Sequence, residues 1–205
     1  MQDDIYKTIE KVSEAQYKEK GSRFIALLFP VRSEDDVKSI IHDLKKEHYN
    51  ATHHCYAYTI GHIGEPSYRI NDDGEPSGTA GKPIYGQLLS FNLKNVLAVV
   101  IRYYGGTKLG VSGLINAYKT ATRMAIEDAC IVEKTINNLF QVRFDFELMN
   151  EVMQVLKKEY VSIKRNDYEE NKCLIEFEVL RSKSEEIVNL FAKLHSVRLS
   201  FIKTI

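Results

Sequence analysis

The sequence lacks an excess of charge of either sign and any long apolar run. Its 205 residues include 28 lysines and arginines against 28 aspartates and glutamates, so the formal net charge is zero. A neutral chain has no global attraction to nucleic acid or to an anionic membrane, and any binding of an anion must therefore come from a local patch. No window approaches the roughly 18 consecutive apolar residues of a membrane span, so we predict no membrane association.

Cysteine is scarce and unpaired. The chain holds Cys55, Cys130 and Cys173, which form no C-x-x-C pair and are odd in number, as expected of reduced thiols in a cytosol. The N-terminus carries Asp3 and Asp4 and lacks an apolar core, which argues against a signal peptide. We therefore predict a cytoplasmic protein, in which Cys55, beside two histidines, is the thiol to test for reactivity.

Glycine and proline are missing from residues 114–205, although the chain contains 11 glycines and four prolines in all. A change this sharp in the residues that form turns predicts two units of different construction. We place an N-terminal domain at residues 1–131 and a C-terminal domain at residues 132–205, both of mixed helix and strand, which makes the fold class α+β.

Hydrophobic periodicity predicts the secondary structure of both domains. In the N-terminal domain it indicates strands over 5–14, 22–31, 53–60, 68–70 and 96–101, a helix capped at Ser33, and helices over 84–93 and 111–130. In the C-terminal domain it indicates strands over 136–145, 161–168, 173–180 and 198–203 and helices over 147–159 and 182–195. The second pattern is β-α-β-β-α-β, which is the ferredoxin-like order.

The most informative segment is the glycine-rich turn over residues 102–110, which joins the most apolar strand to a helix. Such a turn presents backbone N–H groups and positive charge at one point, where an anion can bind. The candidates for phosphate or nucleic-acid contact in and after this turn are Arg102, Tyr104, Gly105, Gly106, Lys108 and Ser112. The segment matches neither the Walker spacing nor G-x-G-x-x-G. Tight packing by the glycines and pairing of Arg102 with a carboxylate remain an equal alternative.

The alternation of side chains along a strand separates two pairs of neighbours in the sequence. One of Tyr103 and Tyr104 faces inward and the other outward, where it either stacks on a base or covers a sheet edge. His53 and His54 likewise point to opposite faces, so both cannot bind one metal.

A second polar loop covers residues 71–82 and has almost no apolar surface, so a ligand, a metal or a network of turns must order it. Its carboxylates Asp72, Asp73 and Glu75, joined by His54, are weak candidates for a Mg²⁺ site, and Asx-type turns are the alternative. The end of the loop offers Ser77, Thr79 and Lys82 to a phosphate. We predict that this loop and the glycine turn converge in space. We predict no obligatory cofactor.

Residues 71–81, which read Asn-Asp-Asp-Gly-Glu-Pro-Ser-Gly-Thr-Ala-Gly, and the turn over 102–110, which reads Arg-Tyr-Tyr-Gly-Gly-Thr-Lys-Leu-Gly, together resemble the YigZ/IMPACT family. Residues 53–58 and 113–118 also fit it. The similarity is strong over about residues 15–130, and the remainder resembles the smaller C-terminal domain of the bacterial YigZ branch.

This resemblance implies an N-terminal fold like the second domain of a small-subunit ribosomal protein and a C-terminal ferredoxin-like domain. The eukaryotic IMPACT branch regulates translation under amino-acid starvation with the help of a further N-terminal domain that the resemblance does not cover, so that role is not transferred. Many members carry glycine and arginine where this chain has Ser112 and Asn116, which implies an anion site that is weaker or differently built.

Three functions are consistent with these observations. The first is an RNA- or ribosome-associated regulator of translation that binds phosphate at the 102–110 turn. The second is a protein-interaction module without a ligand, which predicts no cleft between the two loops. The third is a metal-assisted hydrolase or phosphoryl-handling enzyme around Asp72, Asp73 or Glu75. No arrangement of nucleophile and base is readable, so no catalytic residue is assigned and the enzyme ranks last of the three functions.

Overall fold

The computed structural model describes residues 4–61, 66–169 and 171–205 of the chain. It contains two compact units, one spanning Tyr6–Lys134 and the other Thr135–Ile205 together with the described residues that precede Tyr6. The predicted α+β class in two parts is confirmed. The ranges 1–131 and 132–205 stay a prediction, and Asp3 lies outside the described residues.

The larger unit contains most of the described secondary structure. Its strands are β1 (Ile5–Ile9), β2 (Ser13–Glu19), β3 (Ser22–Pro30), β4 (His53–Ile60), β5 (Ser67–Asn71), β6 (Val96–Tyr103) and β7 (Ile131–Thr135). Its helices are α1 (Glu34–Glu47), α2 (Gly81–Ser90) and α3 (Gly110–Glu127).

Strand β6 lies at the centre of an antiparallel five-stranded sheet of order β2-β3-β6-β4-β5. Helices α2 and α3 pack on one face, around a core that includes Phe24, Val100 and Tyr118. Helix α1 packs on the other face, where Val37 and Leu44 contact the core. Because β6 is covered on both faces, its side chains can be apolar without alternation, which explains the apolar run in the sequence.

The single strand predicted over residues 5–14 is wrong, because two strands occupy this stretch. Strand β1 pairs with β7 in a separate two-stranded sheet, whereas β2 pairs with β3 as an antiparallel hairpin of the five-stranded sheet. The chain passes from one sheet to the other over residues 10–12, where the backbone N–H of Glu10 donates to the Cys130 carbonyl. Local periodicity cannot show which distant strand a segment joins, and it did not reveal β7.

The helix boundaries follow their caps. Ser33 and Asp36 form a reciprocal capping box at the start of α1, as the sequence indicates. Helix α2 begins at Gly81, three residues before the predicted start at residue 84, because the Asp72 carboxylate accepts hydrogen bonds from the N–H groups of Ala80 and Gly81. This distant cap is not visible in the local sequence.

The smaller unit has the predicted β-α-β-β-α-β order. Its elements are β8 (Asn137–Asp145), α4 (Met149–Leu156), β9 (Val161–Glu169), β10 (Lys172–Leu180), α5 (Ser184–Phe191) and β11 (Arg198–Thr204). The antiparallel sheet runs β11-β8-β10-β9, which is the ferredoxin-like arrangement. Both helices are shorter than predicted, and each follows a turn of 3₁₀ helix. Within the described parts of the chain, no helix is long and apolar enough to cross a membrane.

Candidate functional site

The two polar loops meet at a buried ion pair. Arg102, near the end of β6, places Nη1 at 2.5 Å from Oε1 of Glu75, which lies in the loop before α2. The two side chains are 6% and 3% exposed. The predicted convergence of the loops is therefore confirmed, and so is the alternative in which Arg102 pairs with a carboxylate.

A pocket of about 480 Å³ opens beside this pair, and we call it the Arg102 pocket. Its polar lining consists of Thr52, His53, Glu75, Arg102, Tyr104 and Lys108. Its remaining wall, largely apolar, consists of Pro76, Leu109, Gly110, Val111 and Leu114. A mostly apolar pocket with a few convergent polar groups is typical of a small-ligand site.

Glu75 is the centre of a hydrogen-bonded network behind the pocket. The Tyr118 hydroxyl donates to Glu75 Oε1 at 2.8 Å, and Nε2 of His53 lies 3.9 Å from the same oxygen. Behind Tyr118, the Cys55 sulfur lies 3.0 Å from the Asp72 carbonyl oxygen and 3.3 Å from the Tyr118 hydroxyl. These contacts fix the Glu75 carboxylate, and hence the position of Arg102.

Burial governs the chemistry of this network. Loss of solvent raises the pKa of the Cys55 thiol far above its ordinary value, and the nearby carboxylates of the polar loop raise it further. The pKa of Tyr118 is raised for the same first reason, with further contributions from Cys55 and Glu75. Both groups therefore stay protonated, and Cys55 lacks the thiolate that a nucleophile requires.

Arg102 has more donors than Glu75 uses. Its guanidinium carbon lies 5.4 Å from the ring centroids of both Phe24 and Tyr104, and Nη2 lies 3.4 Å from the Ser22 hydroxyl. Among the described residues, the buried Nε has no hydrogen-bond partner. A buried N–H without a partner costs free energy, and the Arg102 side chain that carries it also lines the Arg102 pocket.

Lys108 is the uncompensated charge of the Arg102 pocket. It is exposed, and no described carboxylate forms an ion pair with it, whereas the charge of Arg102 is offset by Glu75. Tyr104 is 47% exposed and donates its hydroxyl to the Gly106 carbonyl at 2.7 Å. Tyr103 points to the other face, where its hydroxyl lies 2.8 Å from Nδ1 of His48.

Close packing explains the first of the two adjacent glycines in the turn. A Cβ on Gly105 would lie 1.9 Å from the carbonyl carbon of Gly21, and the Gly105 N–H donates to the Ser22 hydroxyl at 3.2 Å. Gly106 has open space around it but a φ of +85°, a conformation that favours glycine. These glycines shape the turn, and neither lines the Arg102 pocket.

The carboxylates of the 71–82 loop bind the loop's own backbone and its neighbours. Asp72 accepts hydrogen bonds from the N–H groups of Gly78, Ala80 and Gly81. Burial raises the pKa of Asp72, but these donors outweigh burial and hold the pKa below its ordinary value. Asp73 accepts from the His54 N–H at 2.7 Å and pairs with Lys45 at 3.0 Å. The loop is therefore ordered by turns and caps.

The metal candidates do not form a ligand set. Among the described residues, no group of three or more histidines, cysteines, aspartates and glutamates is placed to hold a metal ion. His54 sits on the face opposite His53, in contact with Asp73, and burial lowers its pKa although Asp73 opposes the shift. These residues stay weak candidates for Mg²⁺, and calorimetry with Mg²⁺ is the test.

Several predicted phosphate contacts lie outside the Arg102 pocket. The Thr79 hydroxyl is buried and donates to the Pro76 carbonyl at 2.7 Å. Ser77, Lys82 and Ser112 do not line the Arg102 pocket in the described structure. Sequence reasoning missed the apolar wall and Tyr118. The helical spacing of Val111, Leu114 and Tyr118 was the available signal, because it places them on one face of α3.

Known proteins are similar to this chain along most of its length. The Impact N-terminal domain matches residues 20–126. The IMPACT family member YvyE of Bacillus subtilis (strain 168) is 36% identical over 180 residues, which cover 88% of this chain and 81% of YvyE. The member YigZ of Escherichia coli (strain K12) is 33% identical over 152 residues, 73% of this chain and 74% of YigZ. A crystal structure of a hypothetical protein, 27% identical, superposes with a TM-score of 0.70 over 98% of both chains.

Proposed function

Because the chain belongs to the IMPACT family, as its matches to the Impact N-terminal domain and to YvyE and YigZ show, we propose that it is an RNA- or ribosome-associated regulator of translation. Translation is proposed as the process because the resemblance implies an N-terminal fold like a domain of a small-subunit ribosomal protein. The proposal locates RNA contact at the Arg102 pocket, where a phosphate and an adjacent base are bound. This role places the protein in the cytoplasm.

The observation that carries the proposal is that Arg102 and an uncompensated cation, Lys108, line the same pocket. Nε of Arg102 lacks a partner among the described residues, and Lys108 pairs with no described carboxylate. A phosphate bound here would be attracted by Lys108 and by the guanidinium of Arg102. The Glu75 carboxylate keeps Arg102 in place, so the guanidinium is oriented before the ligand arrives.

The other residues of the Arg102 pocket are suited to contact with a nucleobase. Tyr104 presents a half-exposed ring beside Pro76, Leu109 and Val111. Bases stack on aromatic rings with little regard to sequence, and each stacked base contributes about 1–3 kcal/mol. A protein of zero net charge can bind single-stranded RNA by such contacts, but it would make few phosphate contacts and show a shallow salt dependence.

The existence of this pocket favours a ligand over an interaction module without one, since that module predicts no cleft between the loops. The metal-assisted enzyme has weaker support. Asp72, Asp73 and Glu75 all accept hydrogen bonds from the protein's own donors. Calorimetry with Mg²⁺, Mn²⁺ and Zn²⁺ tests the enzyme hypothesis directly, and measured binding of one of these ions would support it.

The test is fluorescence anisotropy with labelled single-stranded RNA over a range of salt concentrations. Lys108→Gln is expected to weaken binding and to reduce the slope of log affinity against log salt by about 1. Tyr104→Ala is expected to weaken binding by about fivefold or more and to leave the slope unchanged. Lys119→Gln, an exposed lysine of α3 outside the Arg102 pocket, is the matched control.

Arg102 itself is a poor site for this test, because its removal leaves the Glu75 carboxylate buried without its cation. The proposal is wrong if the wild-type protein binds no RNA, or if Lys108→Gln and Tyr104→Ala bind as the control does. Cosedimentation of the same variants with ribosomes then separates free RNA from the ribosome as the partner.

A further inference from the structure

A second concave surface lies on the opposite face of the five-stranded sheet. It is a groove of about 450 Å³ between α1 and the edge strand β2, and we call it the acidic groove. Its floor is formed by Ile25, Leu27 and Phe29 of β3, and its helical wall by Ile40 and Leu44 of α1. The interior of the acidic groove is therefore apolar, and its name refers to its rim.

The rim of the acidic groove carries charge of one sign. Glu14 of β2 stands on one side, and Asp43 and Glu47 of α1 stand on the other, one helical turn apart. No lysine or arginine is among the lining residues of the described structure. The lining His48 is engaged, since its Nδ1 lies 2.8 Å from the Tyr103 hydroxyl and its Nε2 lies 3.9 Å from Glu47 Oε1.

The two faces of the five-stranded sheet are covered unequally by helices. Two helices, α2 and α3, cover one face, whereas within the described residues of the larger unit α1 alone covers the other. Strand β2 is the edge of the sheet, and the acidic groove runs between it and α1. A second helix beside α1 would complete this layer, as helices do in two-layer and three-layer folds.

We propose that the acidic groove binds a cationic amphipathic helix of a partner protein. Apolar side chains at helical spacing would enter between Leu27, Phe29 and Leu44, which is the helix-in-groove mode of recognition. Lysine or arginine side chains flanking them would face Glu14, Asp43 and Glu47. The same carboxylates repel nucleic acid, so this surface differs in its partner from the Arg102 pocket.

The probe is a synthetic peptide that forms an amphipathic helix with leucines on one face and lysines on both flanks. The control peptide has glutamate in place of every lysine. Binding is measured by calorimetry, and the contact surface is mapped by amide chemical shifts of the ¹⁵N-labelled protein. The lysine peptide is expected to shift amides of β2, β3 and the second half of α1. The glutamate peptide is expected not to bind.

The matched protein variants reverse two exposed carboxylates each. Asp43→Lys/Glu47→Lys is expected to weaken binding of the lysine peptide by about tenfold or more, because like charges then face each other. Glu127→Lys/Asp128→Lys changes the net charge equally at the end of α3, outside the groove lining, and is expected to bind as the wild type does. Replacing the leucines of the peptide by serine tests the apolar contribution without disturbing the protein.

Four outcomes would overturn the proposal. They are failure of the lysine peptide to bind, equal binding of the glutamate peptide, shifts that map to the Arg102 pocket, and a dimer of the protein that Asp43→Lys/Glu47→Lys dissociates. The last would assign the groove to a second copy of the chain. Lys108→Gln leaves this surface intact, so failure here and failure of RNA binding are distinguishable.

Discussion

Replacing Glu75 by glutamine is expected to lower the free energy of unfolding of the larger unit by about 3 kcal/mol. The pair with Arg102 is nearly inaccessible, with side chains 3% and 6% exposed. Breaking a buried pair by removing one partner costs about 3–5 kcal/mol, because the remaining charge stays buried. Glutamine keeps the volume and can still accept from Tyr118, so the lower end of that range applies. Against a typical total of about 5–15 kcal/mol, the loss is large.

Urea denaturation with hydrogen exchange of the β6 amides isolates the larger unit from the smaller one. Glu127→Gln is the matched control. Glu127 pairs with Arg123 at 2.7 Å, but the side chains are 49% and 60% exposed, so its loss is expected to cost about 0.5 kcal/mol or less. The double variant Arg102→Met/Glu75→Leu should recover most of the stability, because apolar residues replace both charges. If Glu75→Gln costs no more than the control, the reasoning about burial is refuted.

Three further perturbations test the loops around the Arg102 pocket. Asp72→Asn should lower the free energy of unfolding by about 1.5 kcal/mol at neutral pH, because a charged acceptor for three N–H groups is lost. Since the folded pKa of Asp72 lies below its ordinary value of 3.8, the wild type's advantage is fully present above that value. It should vanish as the pH falls through the folded pKa, and a difference that persists in acid would contradict the assignment. In the native protein a thiol reagent should react rapidly with the exposed Cys130, whereas Cys55 should react only after unfolding, because burial raises the pKa of Cys55 and blocks access to it. If Cys55→Ser removes the rapid reaction of the native protein, this prediction is wrong. Gly105→Ala should destabilise by about 1–3 kcal/mol through its clash with Gly21, as measured by thermal melting, and a neutral effect would show that the two turns do not touch.

The structure also separates two kinds of candidate residue. Lys108 and Tyr104 line the Arg102 pocket and are exposed, so their variants report on binding. Gly105 and Asp72 hold the loops, so their variants report on stability. Three of these residues belong to the 102–110 turn and Asp72 belongs to the 71–82 loop, and their contacts distinguish the two kinds.

The sequence by itself determined the elements whose causes are local. The apolar run 96–101 predicts β6, the Ser33–Asp36 cap predicts the start of α1, and periodicity predicts the ferredoxin-like order of the smaller unit. Each follows from neighbours within a few residues, where backbone sterics, capping and alternation act. The two glycine-rich loops were recognisable for the same reason.

Only the tertiary structure decided which residues of those two loops contact each other. The sequence contains many carboxylates, and nothing local selects Glu75 as the partner of Arg102, 27 positions away. That pairing depends on the register of β4 against β6 and on α3, which brings Tyr118 to the same carboxylate. It turns the cationic turn that the sequence indicates into a pocket in which Glu75 offsets the charge of Arg102, while Lys108 has no ion-pair partner among the described residues. Charge in a sequence is a count, whereas the field at a site depends on distance and burial, which the fold alone sets.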